Sequence, residues 1–393
     1  MARTILIIFP NALDPTSGGL ERVYHNLTPF LRKNGYEVYA TYSIKSEYDE
    51  RSVYNGYYLL PHPGDSDDYV KGVTDVLACH HFDYIVNSFM SFRILRYLST
   101  ISETNVIHHV HNIPSRYLFS SIGIMPGRLV GTALDKLTRK IRFNIRLRRA
   151  FENINKNNQK MVILSETFRE DLKSIYPIKQ ENVVGIANPF PSAEQFDLDN
   201  CKKEKVILFV GRMSEQQKRI SSVLNIWKMV QGELPDYRLD MVGDGPDRAR
   251  FENKAQEMGL QRIKFYGFKN PTEFYKRSMV SIMTSNYEGF GMVLVEAMQY
   301  GCVPFAFDTF TALHDIIDDG VNGIIIPPQK KTSDQEDVHA DQEYAHRLLH
   351  FLRQDESKIR IVQKNAIQKS HKFDVDNIGA KWLSLLKSFP LKE

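Results

Sequence analysis

Two glutamates, Glu288 and Glu296, stand with seven residues between them in the segment EGFGMVLVE. A carboxylate accepts hydrogen bonds from hydroxyls, so such a pair suits a ligand that carries hydroxyls in two places. Gly289, Phe290 and Gly291 form a turn directly after the first acid, and an amphipathic run over 292–300 follows. Gly301 stands where a helix C-terminal glycine belongs. The first acid is therefore expected in a loop and the second about one turn into a helix. The turn presents bare backbone N–H groups at the helix start. Unpaired donors and the helix dipole attract phosphate there. Two carboxylates flanking such an end fit a diphosphate with hydroxyl-bearing groups on both sides, which is the layout of a nucleotide sugar. Taken alone the spacing is common, and most glutamates are surface residues; the preceding apolar run VSIMTS, 280–285, strengthens it. Strand, glycine turn and helix is the arrangement in which open α/β sheets bind ligands.

A second constellation lies in VILFVGRMSEQQK. Arg212 ends an apolar strand and Lys218 follows six residues on, where a helix over Ile220–Val230 begins. A planar guanidinium and an ammonium beyond a strand's carboxyl end can clamp a diphosphate. Near the N-terminus, PTSGGLERV places Gly18 and Gly19 after the first strand, where backbone can approach a ligand closely. The spacing is not G-x-G-x-x-G, so no dinucleotide fingerprint is present. In HHVHN, alternation turns His109 and His111 to one face and His108 to the other. No cysteine or acid nearby completes a metal site, and His111, at the strand's carboxyl end, is the one expected to meet a substrate hydroxyl. Asp65-Ser66-Asp67 resembles a metal-diphosphate motif but sits in a turn-rich stretch without a strong strand before it, and reads as a solvated loop.

The elements that position these residues alternate throughout the chain. Strand candidates fall at 5–9, 37–43, 83–88, 106–111, 161–165 and 183–188, then at 206–211, 238–245, 263–268, 280–285, 303–308 and 323–328. Alternation with helices implies parallel sheets covered on both faces, and twelve strands exceed one comfortable sheet. A polar stretch with prolines over 188–205 reads as a linker. The expected fold is thus α/β, two doubly wound Rossmann-like domains facing across a cleft: 1–188 for the acceptor and 189–372 for the donor. A C-terminal helix at about 373–393 is expected to pack back onto the first. A polar stretch over 327–337 reads as a surface loop.

The chain has 393 residues, 42% hydrophobic and 25% charged, with a net charge of +4 and three cysteines. That charge suits anionic ligands and gives no basis for nucleic-acid binding. Three scattered cysteines give neither a disulfide framework nor a zinc spacing, and fit a reducing compartment. The first apolar run is too short for a signal peptide, and no run approaches a membrane span. A cytoplasmic protein is expected. Basic residues crowd 136–149, interleaved with Leu137, Ile141, Ile145 and Leu147. Such a helix either lies on anionic lipid or packs in a core with a charged outer face, and both readings stand. The neighbouring 117–127 is unusually apolar for a loop and either lines an acceptor entrance or is buried.

Together, GGLERV, HN after an N-domain strand, ILSE, VGRMSEQQK, VGDGPDR, FYGF, SNYEGFGMVLVEAMQYGCVPFAFD and DIIDDGVNGIIIP resemble glycosyltransferase family 4, with the GT-B fold. The pieces run in family order from about residue 5 to 330 and are most specific around the glutamate pair. The resemblance implies retaining sugar transfer from a nucleotide sugar to a hydroxyl acceptor. A UDP-linked hexose or N-acetylhexosamine is the first expectation for the donor and GDP-mannose the second, and the basic segment points to a lipid-linked glycan of a surface polysaccharide as acceptor. The resemblance also implies that Glu288 binds hexose hydroxyls and Glu296 the ribose. Arg212 and Lys218 would hold the diphosphate with backbone at Gly291, Met292 and Val293. The Gly18–Gly19 loop would approach the phosphates, Phe268 contact the base, and His111 lie near the reacting centre. No metal and no cofactor are expected. Two departures stand out: QQKRI where many relatives have Lys-Gly, and Asn188-Pro189 in place of Asn-Gly. A sugar-nucleotide epimerase and a non-catalytic sugar-nucleotide-binding subunit are the alternatives; the first would need no acceptor and the second would show no turnover.

Overall fold

The computed structural model describes the chain except residues 1, 17, 48–50, 62–65, 89–90, 114–132, 176–177, 193–195, 328–333 and 391–393, together with the side chains of 133–144, 174–175 and 334–338. It divides into two compact units, one of Met1–Pro191 with Val375–Glu393 and one of Ser192–Asp374.

The first unit carries β1 (Arg3–Ile8), β2 (Tyr36–Tyr42), β3 (Gly56–Leu59), β4 (Tyr84–Asn87), β5 (Asn105–Val110), β6 (Lys160–Ile163) and β7 (Val183–Gly185). All pair in parallel, in the order β3-β2-β1-β4-β5-β6-β7. Ile7 pairs with Ala40 on one side and Val86 on the other. Every residue of β4 and β5 is buried, which is why neither strand shows the regular polar–apolar alternation of a half-exposed one. Strand β3 has no such run: it is the sheet edge, and Tyr57 and Leu59 are half exposed. The helix Val375–Lys387 belongs to this unit through Ile378, Trp382, Leu385 and Leu386. Gly379 meets Phe30 so closely that a Cβ would lie 2.4 Å from the ring, and the Tyr84 hydroxyl donates to the Leu386 carbonyl at 2.9 Å.

The second unit carries β8 (Glu204–Val210), β9 (Arg238–Val242), β10 (Ile263–Gly267), β11 (Ser278–Met283), β12 (Val303–Phe307) and β13 (Ile324–Ile326). These are parallel in the order β10-β9-β8-β11-β12-β13. Written by sequence this is 3-2-1-4-5-6, the doubly wound order whose reversal, here between β8 and β11, opens a crevice at the strands' carboxyl ends. The core beneath runs through Phe209, Trp227, Met241, Phe305, Tyr344 and Phe351.

Three local expectations change. The 188–205 stretch is not a bare linker: Asn188 and Phe190 are buried, Asp199 pairs with Arg360 and Lys364, and Glu204 opens β8. Ser66 is a helix cap rather than part of a solvated loop; its Oγ accepts from the Tyr69 amide at 3.1 Å and Asp67 starts the helix, while Asp65 lies outside the described residues. Of the 327–337 loop, residues from Asp334 on are helical. Segment 117–127 lies outside the described residues. Of the basic segment, the helix Ala133–Lys156 is present, and Arg146, Arg148 and Arg149 are exposed while Leu147 is buried. No helix among the described residues is long and apolar enough to cross a membrane.

Candidate functional site

In the second unit the loops after β8 and β11 meet at the reversal of strand order. Lys218 ends a one-turn helix, Glu215–Lys218, and its Nζ donates to Glu288 Oε1 at 2.5 Å. Both side chains are 11% exposed, so the pair is largely withdrawn from water. Removing one partner of a desolvated ion pair strands the other charge and costs about 3–5 kcal/mol. The alignment is built by the backbone. Thr284 Oγ1 donates to the Lys218 carbonyl at 2.7 Å, the Asn286 amide to the Gln217 carbonyl at 2.8 Å, and Asn286 Nδ2 to the Gln216 carbonyl at 3.0 Å. These bonds stitch the exit of β11 to the turn that carries the lysine.

Arg212 is exposed and its side chain has no hydrogen-bond partner among the described residues. It leaves β8 just after Gly211, whose amide donates to the Val242 carbonyl at 3.0 Å. Gly243, at φ 133°, faces it so closely that a Cβ there would lie 2.0 Å from the Gly211 carbonyl oxygen. This contact explains the glycines of VGR and VGDG: both loops leave the sheet through the same narrow space.

Gly291 takes φ 79° and ψ 48° at the N-cap of the helix Met292–Gln299, with no side-chain oxygen capping it. A left-handed residue there starts the helix abruptly after Phe290, which is buried against Phe373 with ring centres 5.5 Å apart. Gly289, Met292 and Val293 are half-buried around this end. Glu296, in the second turn, is also half-buried and accepts from the Tyr275 hydroxyl at 3.1 Å. Phe268 follows the edge strand β10 at the same end of the sheet, two strand spacings from β8, about 10 Å, and is 65% exposed. The second unit therefore brings Arg212, Lys218, Glu288, Glu296 and Gly291 to one sheet edge, with an unpaired guanidinium, a paired ammonium and an uncapped helix start. That combination can hold an anion beside hydroxyl-accepting carboxylates.

Beside Lys218, Arg219 adopts φ 47° and ψ 58°. A left-handed backbone is costly for a side-chain-bearing residue, about 1–2 kcal/mol. The QQKRI departure thus keeps the turn a glycine would make and puts an arginine in it. The bond of Glu296 with Tyr275 was hidden in the sequence, and the only signal for Arg219 was a long cation where a glycine fits.

Gly18, Gly19 and His111 lie in the first unit. Gly18 precedes the helix Gly19–Lys33, and a Cβ on it would lie 2.9 Å from Glu21 Oε2. Glu21 is 7% exposed; burial pushes its carboxyl up from the usual range, and Asp14 adds to this. The histidines of β5 and the one just beyond it divide as the alternation requires. His108 faces one side, with Nδ1 3.2 Å from Asn87 Nδ2 and Nε2 2.8 Å from Gln159 Oε1. His109 and His111 share the other, with ring centres 3.8 Å apart. The Tyr24 hydroxyl lies 2.8 Å from His109 Nδ1, and Trp382 meets His109 edge-on at 5.2 Å. Burial lowers His108 to about 4 and His111 to about 3, and holds His109 well below the usual range. The Nε2 atoms of His109 and His111 are buried without a partner. These rings are neutral at pH 7, so His111 can exchange a hydrogen bond with a hydroxyl but brings no charge. Among the described residues no group of three or more His, Cys, Asp or Glu is arranged to hold a metal ion.

Residues 192–358 match the family model described as Glycosyl transferases group 1. The chain is similar to the amylovoran biosynthesis glycosyltransferase AmsD of Erwinia amylovora, 36% identical over 168 residues, 41% of this chain and 47% of that one. It is also similar to the lipopolysaccharide 1,6-galactosyltransferase of Salmonella typhimurium, 32% identical over 133 residues, 32% of this chain and 36% of that one. The chain spans about half the length of these curated relatives, or less. Among solved structures, Anabaena Alr3699/HepE in complex with UDP and glucose aligns with a TM-score of 0.73 at 18% identity, over 98% of this chain and 100% of that one. WaaG, a glycosyltransferase involved in lipopolysaccharide biosynthesis, aligns with a TM-score of 0.69 at 16% identity, over 98% and 100%. At these identities the likeness is one of fold: two Rossmann-like α/β units with parallel sheets, the GT-B class.

Proposed function

We propose that the chain is a retaining glycosyltransferase of family 4 that moves a hexose or N-acetylhexosamine from a nucleotide diphosphate sugar to a hydroxyl acceptor. The observation that carries this reading is the Lys218–Glu288 pair beside the uncapped helix start at Gly291, at the reversal of strand order. In this reading the diphosphate lies against Arg212, Lys218 and the amides of Gly291, Met292 and Val293. The sugar hydroxyls reach Glu288, the ribose Glu296 and the base Phe268. The Gly18–Gly19 loop and His111 serve the phosphates and the reacting hydroxyl. As the anomeric carbon–oxygen bond breaks, the departing phosphate gains charge, and preorganised cations and N–H dipoles stabilise it most at that moment. The acceptor oxygen bonds to the anomeric carbon and its proton passes to the departing phosphate oxygen. Two side-chain cations and a helix end supply the compensation a metal would otherwise provide, so transfer is metal-independent.

UDP is the proposed nucleotide and a lipid-linked glycan of surface polysaccharide synthesis the proposed acceptor. Relatives named for amylovoran and lipopolysaccharide synthesis support this, as does a fold neighbour that binds UDP and glucose. A cytoplasmic location follows from such an acceptor, with the exposed Arg146, Arg148 and Arg149 touching an anionic leaflet.

The test is incubation of the chain with UDP- and GDP-linked sugars and lipid-linked or soluble hydroxyl acceptors, with products followed by mass spectrometry and anomeric NMR. Acceptor-dependent transfer with retained configuration is expected, unchanged by EDTA. Conversion of the sugar nucleotide without an acceptor would make it an epimerase, and donor binding without turnover a binding subunit.

A further inference from the structure

We propose that Arg219 is a positioning residue for Lys218: its guanidinium, held between the Phe307 ring and Asp341, locks the left-handed turn that aims the Lys218 ammonium. The inference rests on reading Lys218 as a phosphate-binding cation.

Three observations lead to it. The backbone at Arg219, φ 47° and ψ 58°, is one glycine takes freely and other residues resist, so contacts must hold it. The contacts are present. The guanidinium carbon lies 5.0 Å from the centre of the Phe307 ring, at the end of β12. Nη2 lies 3.7 Å from Asp341 Oδ1 on the helix Asp334–Leu352, and the arginine side chain is only 11% exposed. Asp341 is itself 1% exposed and accepts from Asn225 Nδ2 at 3.0 Å. Thirdly, Thr284 Oγ1 reaches the carbonyls of both Lys218, at 2.7 Å, and Arg219, at 3.1 Å. The turn is thus clamped through its peptides by the loop after β11 and through its side chain by β12 and a distant helix.

The arrangement also sorts charge. Two consecutive cations each face their own carboxylate, Lys218 facing Glu288 and Arg219 facing Asp341. With Asp341 in place, the arginine does not compete for Glu288, and the ammonium alone meets that carboxylate. A glycine would give the same backbone without this fixation.

The probe is UDP, titrated by calorimetry against the full chain, together with amide exchange of the ligand-free chain over 212–222. Arg219→Gly removes strain and anchor together. It should melt below the wild-type temperature, because Asp341 is left buried without its cation, and bind UDP about tenfold more weakly. The amides of Lys218 and Arg219, bonded to the carbonyls of Ser214 and Glu215, should exchange about tenfold faster. Arg219→Lys, which keeps a cation near Phe307, should fall between. Wild-type UDP affinity and unchanged exchange in Arg219→Gly would overturn the proposal. If that variant does not fold, Asp341→Asn is measured identically, and unchanged values there overturn it. Failure of the wild type to bind UDP or GDP would instead defeat the phosphate-site reading, while the exchange comparison still decides the anchoring.

Discussion

The two units share a strand order and differ in how they hold reactive groups. The second sheet runs 3-2-1-4-5-6 from its first strand, and the first sheet runs the same way with a seventh strand added at the end. In the second unit the polar groups at the strands' carboxyl ends are charged: Lys218 against Glu288, Arg219 against Asp341, Arg212 exposed. In the first they are uncharged and withdrawn from water: His109, Tyr24 and Trp382 are buried and His111 is half-buried, with Nε2 of both histidines and Nε1 of Trp382 unpartnered. The same scaffold therefore supports two kinds of chemistry. One edge is electrostatic, suited to compensating a growing negative charge. The other offers uncharged hydrogen-bonding groups, which do not attract phosphate.

Acid should separate the units most. The folded histidines titrate near 4 for His108 and near 3 for His111, against 6.5 when unperturbed. The unfolded chain therefore binds more protons from about pH 6.5 down to about 4, and stability falls as pH falls through that window. His108, fully buried, accounts for a loss on the order of 3 kcal/mol, and the part-exposed His111 ring adds less. The two tryptophans report each unit separately, Trp382 the first and Trp227 the second. Denaturation of single-tryptophan variants at pH 7 and pH 4.5 should show the larger loss at Trp382. Equal losses would break the contrast.

Charge removal should act on the second unit. Lys218→Ala should raise the transfer barrier by about 2–4 kcal/mol and also destabilise this unit by about 3 kcal/mol, because Glu288 is left charged and largely buried. The ion pair makes the lysine matter to the fold as well as to turnover. Arg212→Ala should lose comparable turnover with stability within about 0.5 kcal/mol of wild type, since its side chain is exposed. Steady-state kinetics beside urea titrations separate the two, and equal stability for both variants would show that the pair is not energetically coupled. The smallest effect is expected in the first unit: Tyr24→Phe removes one buried hydrogen bond to His109, about 1 kcal/mol. Trp382 fluorescence should register it while Trp227 does not.

The difference between the units also explains what the sequence disclosed. A strand buried on both faces, such as β12, announces itself as an apolar run. Edge strand β3, Gly-Tyr-Tyr-Leu with alternate residues half exposed, does not. Short-range motifs in the second unit were legible because glycine turns and charges sit within a few residues of their strand ends. What escaped is long-range. Lys218 meets Glu288 across 70 residues, and Arg219 meets Asp341 on a helix whose pattern says nothing of the loop it braces. In the first unit, HHVHN showed which histidines share a face, but the contact of Trp382 with His109 depends on a C-terminal helix returning to a sheet far earlier in the chain.

The most direct test of the electrostatic edge is an amide NMR or exchange map of the full chain with saturating UDP. The account predicts protection or shifts at Arg212, Lys218 and Gly291 through Val293, abolished in the Arg212→Ala, Lys218→Ala double variant. UDP binding that leaves those residues unperturbed, or that survives the double variant at full affinity, would contradict it.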